Sequence, residues 1–151
     1  MRVSEQNFNE VICLMCTFNN LFQKEIFKNT RDFIVNYKYL CNQLGKTPLE
    51  DIQDKTGIHQ DVLQFYLEAH GYRVISIPKT TKKVGWGFGI FRITHKGFKF
   101  HHIVAIVHDY VIDSIRFEIE KNRNNPGVYR WDGTLQGYNK STLESLWKIE
   151  T

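Results

Sequence analysis

A thiol and an imidazole held by a carboxylate are the groups in this sequence whose types and spacing could do chemistry. Cys13 and Cys16 stand three apart in the apolar stretch EVICLMCTFNNLFQKEIF, residues 10–27. Only the thiolate of a cysteine attacks carbon, and the free N–H groups and dipole at the start of a buried helix favour that anion. Far downstream, FHHIVAIVHDYVIDS carries His101, His102 and Asp113. If His108 and Asp109 form a two-residue turn, Val107 faces Tyr110 and Val104 faces Asp113, which puts His102 diagonal to Asp113 on one face of the hairpin. Such diagonal neighbours have Cβ atoms about 7–8 Å apart, within reach of an imidazole and a carboxylate. A base to take the thiol proton and an acid to orient that base are what an activated nucleophile requires. A turn of odd length would select His101 instead. The bland alternative is a hydrogen-bonded core histidine beside an aspartate that ends a strand.

The elements that must position these groups read as helices first and strands second. Val11, Ile12, Met15, Phe18, Phe22 and Ile26 recur at helical spacing from Phe8, and Leu14 and Leu21 add apolar surface behind them, so this helix is buried nearly all round. A second helix is expected over 30–44, with Phe33, Ile34, Tyr37, Leu40, Cys41 and Leu44 inward and Gly45 as its stop. A short helical turn fits 48–52. A third helix, with Ile58, Val62, Phe65 and Ala69 in register, ends at Gly71 and runs into a strand over 72–77. From Val84 the period changes to two, giving strands over 87–94, 98–107 and 110–118 with turns at Lys96-Gly97 and His108-Asp109. Residues 103–107 are all apolar or small, so that strand is covered on both faces. Residues 122–127 form a loop, and Ser141-x-x-Glu144 fits a capping box opening a short C-terminal helix. The layout is α+β: an N-terminal buried helix packed on an antiparallel meander, in a single domain spanning 1–151.

The string CLMCTFNNLFQKEIF resembles the cysteine box of the Josephin deubiquitinases, C-x-x-x-x-L-N-N-L-L-Q-x-E-x-F, with Asn19, Asn20, Leu21, Gln23, Glu25 and Phe27 coinciding. That alignment places the family's nucleophile on Cys13. The same string is similar to the box of ubiquitin-specific proteases and picornaviral leader proteases, C-x-[ML]-N-[SA]-x-L-Q, which would place it on Cys16 with Asn19 and Gln23 matching. The longer ungapped match favours Cys13. DVLQFYLEAHGYRVISI is similar to the Josephin helix and strand before the sheet, and HHIVAIVHDYVIDS resembles that clan's His-containing hairpin with a shorter turn. The resemblance touches separate islands and implies a papain-like cysteine hydrolase, with His102 as general base and Asp113 as its orienting residue. It also implies a protein or peptide substrate of the ubiquitin-like kind. Phe8 stands where the family has an oxyanion-binding glutamine, which leaves Gln6, Asn7 and Asn9 as candidate oxyanion donors beside the backbone N–H of the cysteine.

The implied reaction is acyl transfer through a thioester, resolved by water in a peptidase or isopeptidase, or by an amine in a transglutaminase-like enzyme. A papain-like domain that binds a partner without catalysis is a further alternative. So is a helix opened at Phe8 by an Asn7-x-x-Glu10 capping box, burying both cysteines as inert core. A rival of another class is a single-stranded nucleic-acid module built on residues 82–100, where Trp86, Phe88, Phe91, Phe98 and Phe100 interleave with Lys82, Lys83, Arg92, Lys96 and Lys99. The net charge of +4 is slight for such a binder and argues against it. Paired metal-ligand spacing is lacking, and GWGFG, residues 85–89, has no Lys-Ser/Thr ending, so neither a metal nor a nucleotide cofactor is expected. No apolar run approaches the roughly 20 residues that span a bilayer, and three cysteines, an odd number, cannot all pair internally, so a reducing cytoplasmic address without membrane association is expected.

Overall fold

Asn19 decides where the first helix stops. The computed structural model describes residues 13–48, 60–115 and 127–151, and within them α1 spans Cys13–Phe22. The apolar period continues to Ile26, but the helix does not. Gln23 takes a left-handed backbone (φ 55°), and the N–H groups of Gln23 and Lys24 return to the carbonyls of Asn20 and Asn19, the two crossed bonds of a Schellman ending. The Asn19 side chain then catches the departing chain: Oδ1 accepts from the N–H groups of Ile26 and Phe27, and Nδ2 donates to the Phe27 carbonyl. Gln23 Nε2 adds a bond to the Asn20 carbonyl. Phe27 is thereby folded back onto Phe18, Phe33 and Tyr66.

Helix α2, Thr30–Gln43, is capped by Asn29, whose side chain accepts from the Asp32 N–H, and Gly45 follows it with φ 66°. Phe33, Tyr37 and Cys41 are buried, whereas Leu44, expected inside, is exposed at the C-cap. Helix α3, Gln60–Ala69, buries Val62, Leu63, Tyr66 and Leu67. Its inward stripe is therefore rotated from the expected one: Phe65 is half-buried and Ala69 exposed. Wide apolar helices allow either rotation, and here Val62, Leu63, Tyr66 and Leu67 form the inward stripe. Ile58 and the turn expected over 48–52 lie wholly or largely outside the described residues.

Among the described residues six strands follow: β1 Arg73–Ile77, β2 Trp86–His95, β3 Phe98–Val107, β4 Tyr110–Ile112, β5 Val128–Arg130 and β6 Lys140–Glu150. They form one antiparallel sheet in the order β1-β6-β2-β3-β4-β5. Two expectations are corrected here. The capping-box reading of Ser141 and Glu144 fails, because residues 140–150 are a long strand seated between β1 and β2; two ladders of hydrogen bonds outweigh a four-residue cap signal. The sheet is consequently not a simple meander. Gly87 serves this seating, since a Cβ there would collide with the Trp147 carbonyl of β6. Of the strand expected over 110–118, β4 covers 110–112; the Asp113 N–H still donates to the Gly127 carbonyl, the Asp113 carboxylate accepts the N–H of Ile115, and residues 116–118 lie outside the described residues.

Each face of the sheet is covered. Phe88, Ile90, Ile103, Ala105, Val107 and Ile149 pack under the three helices, and Phe91, Ile93, Val104, Ile106, Val111 and Leu146 pack against Val84, Trp131 and Leu135 on the other face. Residues 103–107 are buried throughout, as the unbroken apolar run requires. Among the described residues no helix is long and apolar enough to cross a membrane.

Replacing Asn19 by alanine removes the side-chain acceptor of the Phe27 N–H and leaves the Ile26 N–H with the Lys24 carbonyl alone. A loss of about 1–3 kcal/mol is expected, measured as a lower urea midpoint at unchanged slope.

Candidate active site

The hairpin β3–β4 turns through His108 and Asp109, both left-handed (φ 52° and 63°), as a two-residue hairpin turn demands. Histidine and aspartate tolerate that region better than most side chains. Asp109 repays it: its Oδ1 accepts from the N–H groups of Val84 and Gly85, its N–H donates to the Gly85 carbonyl, and its carbonyl accepts from Trp131. The register is Val107 with Tyr110, Ile106 with Val111 and Ala105 with Ile112. Extended by one residue it sets Asp113 opposite Val104, with His102 diagonal to it.

The two side chains meet. His102 Nε2 donates to Asp113 Oδ1 at 2.6 Å, and each side chain is 1% exposed. A carboxylate is an acceptor, so in this pairing Nε2 takes the donor role and Nδ1 is left for another partner. Asp113 is held from three sides, because the Ile115 N–H also reaches Oδ1 (3.0 Å) and the Tyr138 hydroxyl donates to Oδ2 at 2.6 Å. The pair sits on the face carrying Val104 and Ile106, with the rings of Phe100 and Tyr138 against the imidazole. His101, one residue earlier, leaves the opposite face and meets Glu144 near the surface at 3.3 Å, with Arg92 on the same carboxylate. The turn length therefore decides which histidine is enclosed.

Helix α1 packs on the opposite face of the sheet from this pair. Its packing partner in the sheet is β3, and the Thr17 hydroxyl donates to the Ile103 carbonyl, the residue after His102 (3.4 Å). Carbonyls of residues 103, 105 and 107 share one edge of β3, and β4 pairs only with 105–107, so the helix meets the edge where the strand has stopped. Cys13, the first residue of α1, is one helical turn before Thr17. Its side chain lies outside the described residues, as do the candidate oxyanion donors Gln6, Asn7 and Asn9. Cys16 is 0% exposed in the helix-side core with Phe18 and Leu21, and Cys41 is equally buried on α2.

Tyr138 and His95 escape a reading of the sequence. Tyr138 stands in a turn-rich segment, 25 residues from Asp113, with no periodicity to mark it; the flanking Gly137 (φ 91°) and Asn139 are its only local signal of an ordered turn. His95 Nδ1 accepts the Asn139 N–H (3.1 Å), Asn139 Oδ1 accepts the Lys96 N–H, and the Tyr138 ring packs edge-on against His95. The aromatic series over 82–100 does not make a stacking platform: Phe88 and Phe91 are fully buried on opposite faces, and Trp86 is packed against Phe22 and Tyr72. Among the described residues no group of three His, Cys, Asp or Glu side chains could hold a metal ion. No protein-family model matches the chain, and no curated protein matches it.

Burial, helped by the neighbouring Lys96 ammonium, holds the His95 imidazole below its ordinary value. The unfolded chain binds that proton from about pH 6.5 downwards while the native one resists it. The contribution is complete above about pH 6.5 and is lost as the pH falls through and below that value. Unfolding free energy followed across pH 5–8 should show this acid-side loss, and His95→Gln, which keeps an acceptor for Asn139 without titrating, should flatten it relative to the wild type.

Proposed function

We propose that this chain is a thiol-dependent acyl hydrolase of papain-like architecture, a cysteine peptidase or isopeptidase in which Cys13 attacks, His102 is the base and Asp113 orients it. The observation that carries the reading is the buried bond from His102 Nε2 to Asp113. A histidine whose Nε2–H is fixed by a carboxylate presents Nδ1 as a base of defined direction, and its imidazolium is stabilised by the same carboxylate.

Cys13 is chosen over Cys16 on two grounds. Cys16 is enclosed in the helix-side core, where a thiolate would be desolvated and where no substrate carbonyl reaches. Cys13 is the position on which the longer match to the deubiquitinase box places the nucleophile. His102 leaves the sheet on the face away from α1, so thiol and imidazole can meet only around the edge of β3. That edge is where β4 has ended and Thr17 holds the helix to Ile103.

In the reaction, His102 Nδ1 takes the Cys13 proton and the thiolate adds to an acyl carbonyl. The imidazolium returns the proton to the leaving amine, forming the thioester and releasing the amine. Water, deprotonated by His102, then adds to the thioester, and collapse releases the acid and the thiol. The likeness of CLMCTFNNLFQKEIF to deubiquitinase boxes supports the C-terminal tail of a ubiquitin-like modifier as the acyl donor.

Iodoacetamide at neutral pH tests this reading. Cys13 should be carboxamidomethylated at least tenfold faster than Cys16 and Cys41, the advantage should disappear in His102→Ala, and Cys16→Ala should retain it. A ubiquitin tail bearing a C-terminal electrophile should label the same residue. Equal, slow labelling of all three cysteines in the wild type would overturn the assignment.

A further inference from the structure

We propose that Tyr138 is a positioning residue for the His102–Asp113 pair: its hydroxyl fixes the charge and rotation of the Asp113 carboxylate and thereby the tautomer of His102. This rests on the catalytic reading of that pair, although the tautomer can be measured without it.

Asp113 is wholly buried, so the lone pairs of its carboxylate must find their donors within the protein. Were the carboxyl to take a proton, it could donate to Nε2, drive the imidazole to its Nδ1–H form and remove the base. Three donors oppose this: His102 Nε2 and the Ile115 N–H at Oδ1, and the Tyr138 hydroxyl at Oδ2 (2.6 Å). The first two crowd one oxygen. Tyr138 alone among these three reaches the other, so it sets the rotation about the carboxyl bond as well as favouring the anion.

Its own position is built. Gln136 N–H donates to the Tyr129 hydroxyl, Asn139 N–H to His95 Nδ1, and Lys96 N–H to Asn139 Oδ1, so the residues on both sides of Tyr138 are tied to the sheet. The ring is wedged between two imidazoles, its centroid 5.8 Å from that of His95 and 6.1 Å from that of His102. A tyrosine serving only as packing would not need its hydroxyl aimed at a carboxylate oxygen.

The test compares the full-length wild type with Tyr138→Phe and with a chain carrying 3-fluorotyrosine at position 138, whose more acidic hydroxyl is the stronger donor in an unchanged shape. Two readouts are followed against pH: the ¹⁵N shifts of the His102 ring, and the rate of Cys13 alkylation by iodoacetamide. The wild type should show the Nε2–H tautomer. Tyr138→Phe should move the acid limb of alkylation to higher pH, slow it about tenfold at neutral pH and admit the Nδ1–H form; fluorotyrosine should move the limb the other way. Should the phenylalanine variant not fold, the fluorotyrosine chain decides. Ring shifts and an acid limb indifferent to both changes would overturn the proposal. Slow wild-type alkylation of Cys13 would instead overturn the catalytic reading, and the ¹⁵N shifts would still decide the role of Tyr138.

Discussion

Everything around the His–Asp pair depends on a turn that two non-glycine residues complete in a left-handed conformation. Strands alternate their side chains with a period of two, so a turn one residue longer would place Asp113 on the face of His101 and take it away from His102. The conformation carries a steric cost for any residue with a Cβ, and Asp109 offsets it by gathering the N–H groups of Val84 and Gly85 on its carboxylate. A local strain is thus converted into a fixed register, and the register into a hydrogen bond. The same Asp109 carbonyl receives Trp131, which ties the turn to the segment that later delivers Tyr138.

The residues of the N-terminal box take on a second meaning in the folded chain. Asn19, Asn20 and Gln23, the positions that carry the likeness to deubiquitinases, are occupied in ending α1 and folding Phe27 back onto the core. A motif that resembles a catalytic signature therefore includes residues whose task is to end the helix at a set length. That helix is the one whose opposite end carries Cys13.

The parts of this architecture that were legible in the sequence are those governed by local periodicity and turn chemistry. Lys96-Gly97 and His108-Asp109 fall where alternating strands require two-residue turns, and with them the meeting of His102 and Asp113 follows. Gly45 and Gly71 mark helix ends by the left-handed backbone each adopts there. Illegible were features set by partners distant in the chain. Ser141 and Glu144 carry a helix-start pattern, yet residues 140–150 are claimed by two neighbouring strands. The Asp113 carboxylate is engaged by the Ile115 N–H, and Tyr138 finds Asp113 through a loop in which Asn139 is pinned to His95. Three-dimensional placement also separates the aromatics of 82–100, which alternate between the two cores rather than lining one surface.

The seating of β6 between β1 and β2 has a consequence for how the chain reaches this structure. The β2–β3–β4 hairpins are made of contacts close in sequence and can form quickly, bringing His102 and Asp113 together early. β1 has no strand neighbour until β6 arrives, and the edge of β2 that β6 covers stays unpaired for the same interval. Closing that gap joins segments far apart in the chain, a slow step that leaves two strand edges open to other molecules while it waits. The hairpin bearing the proposed site is thus the fast half of the sheet, and its completion by the last strand sets the pace of the rest.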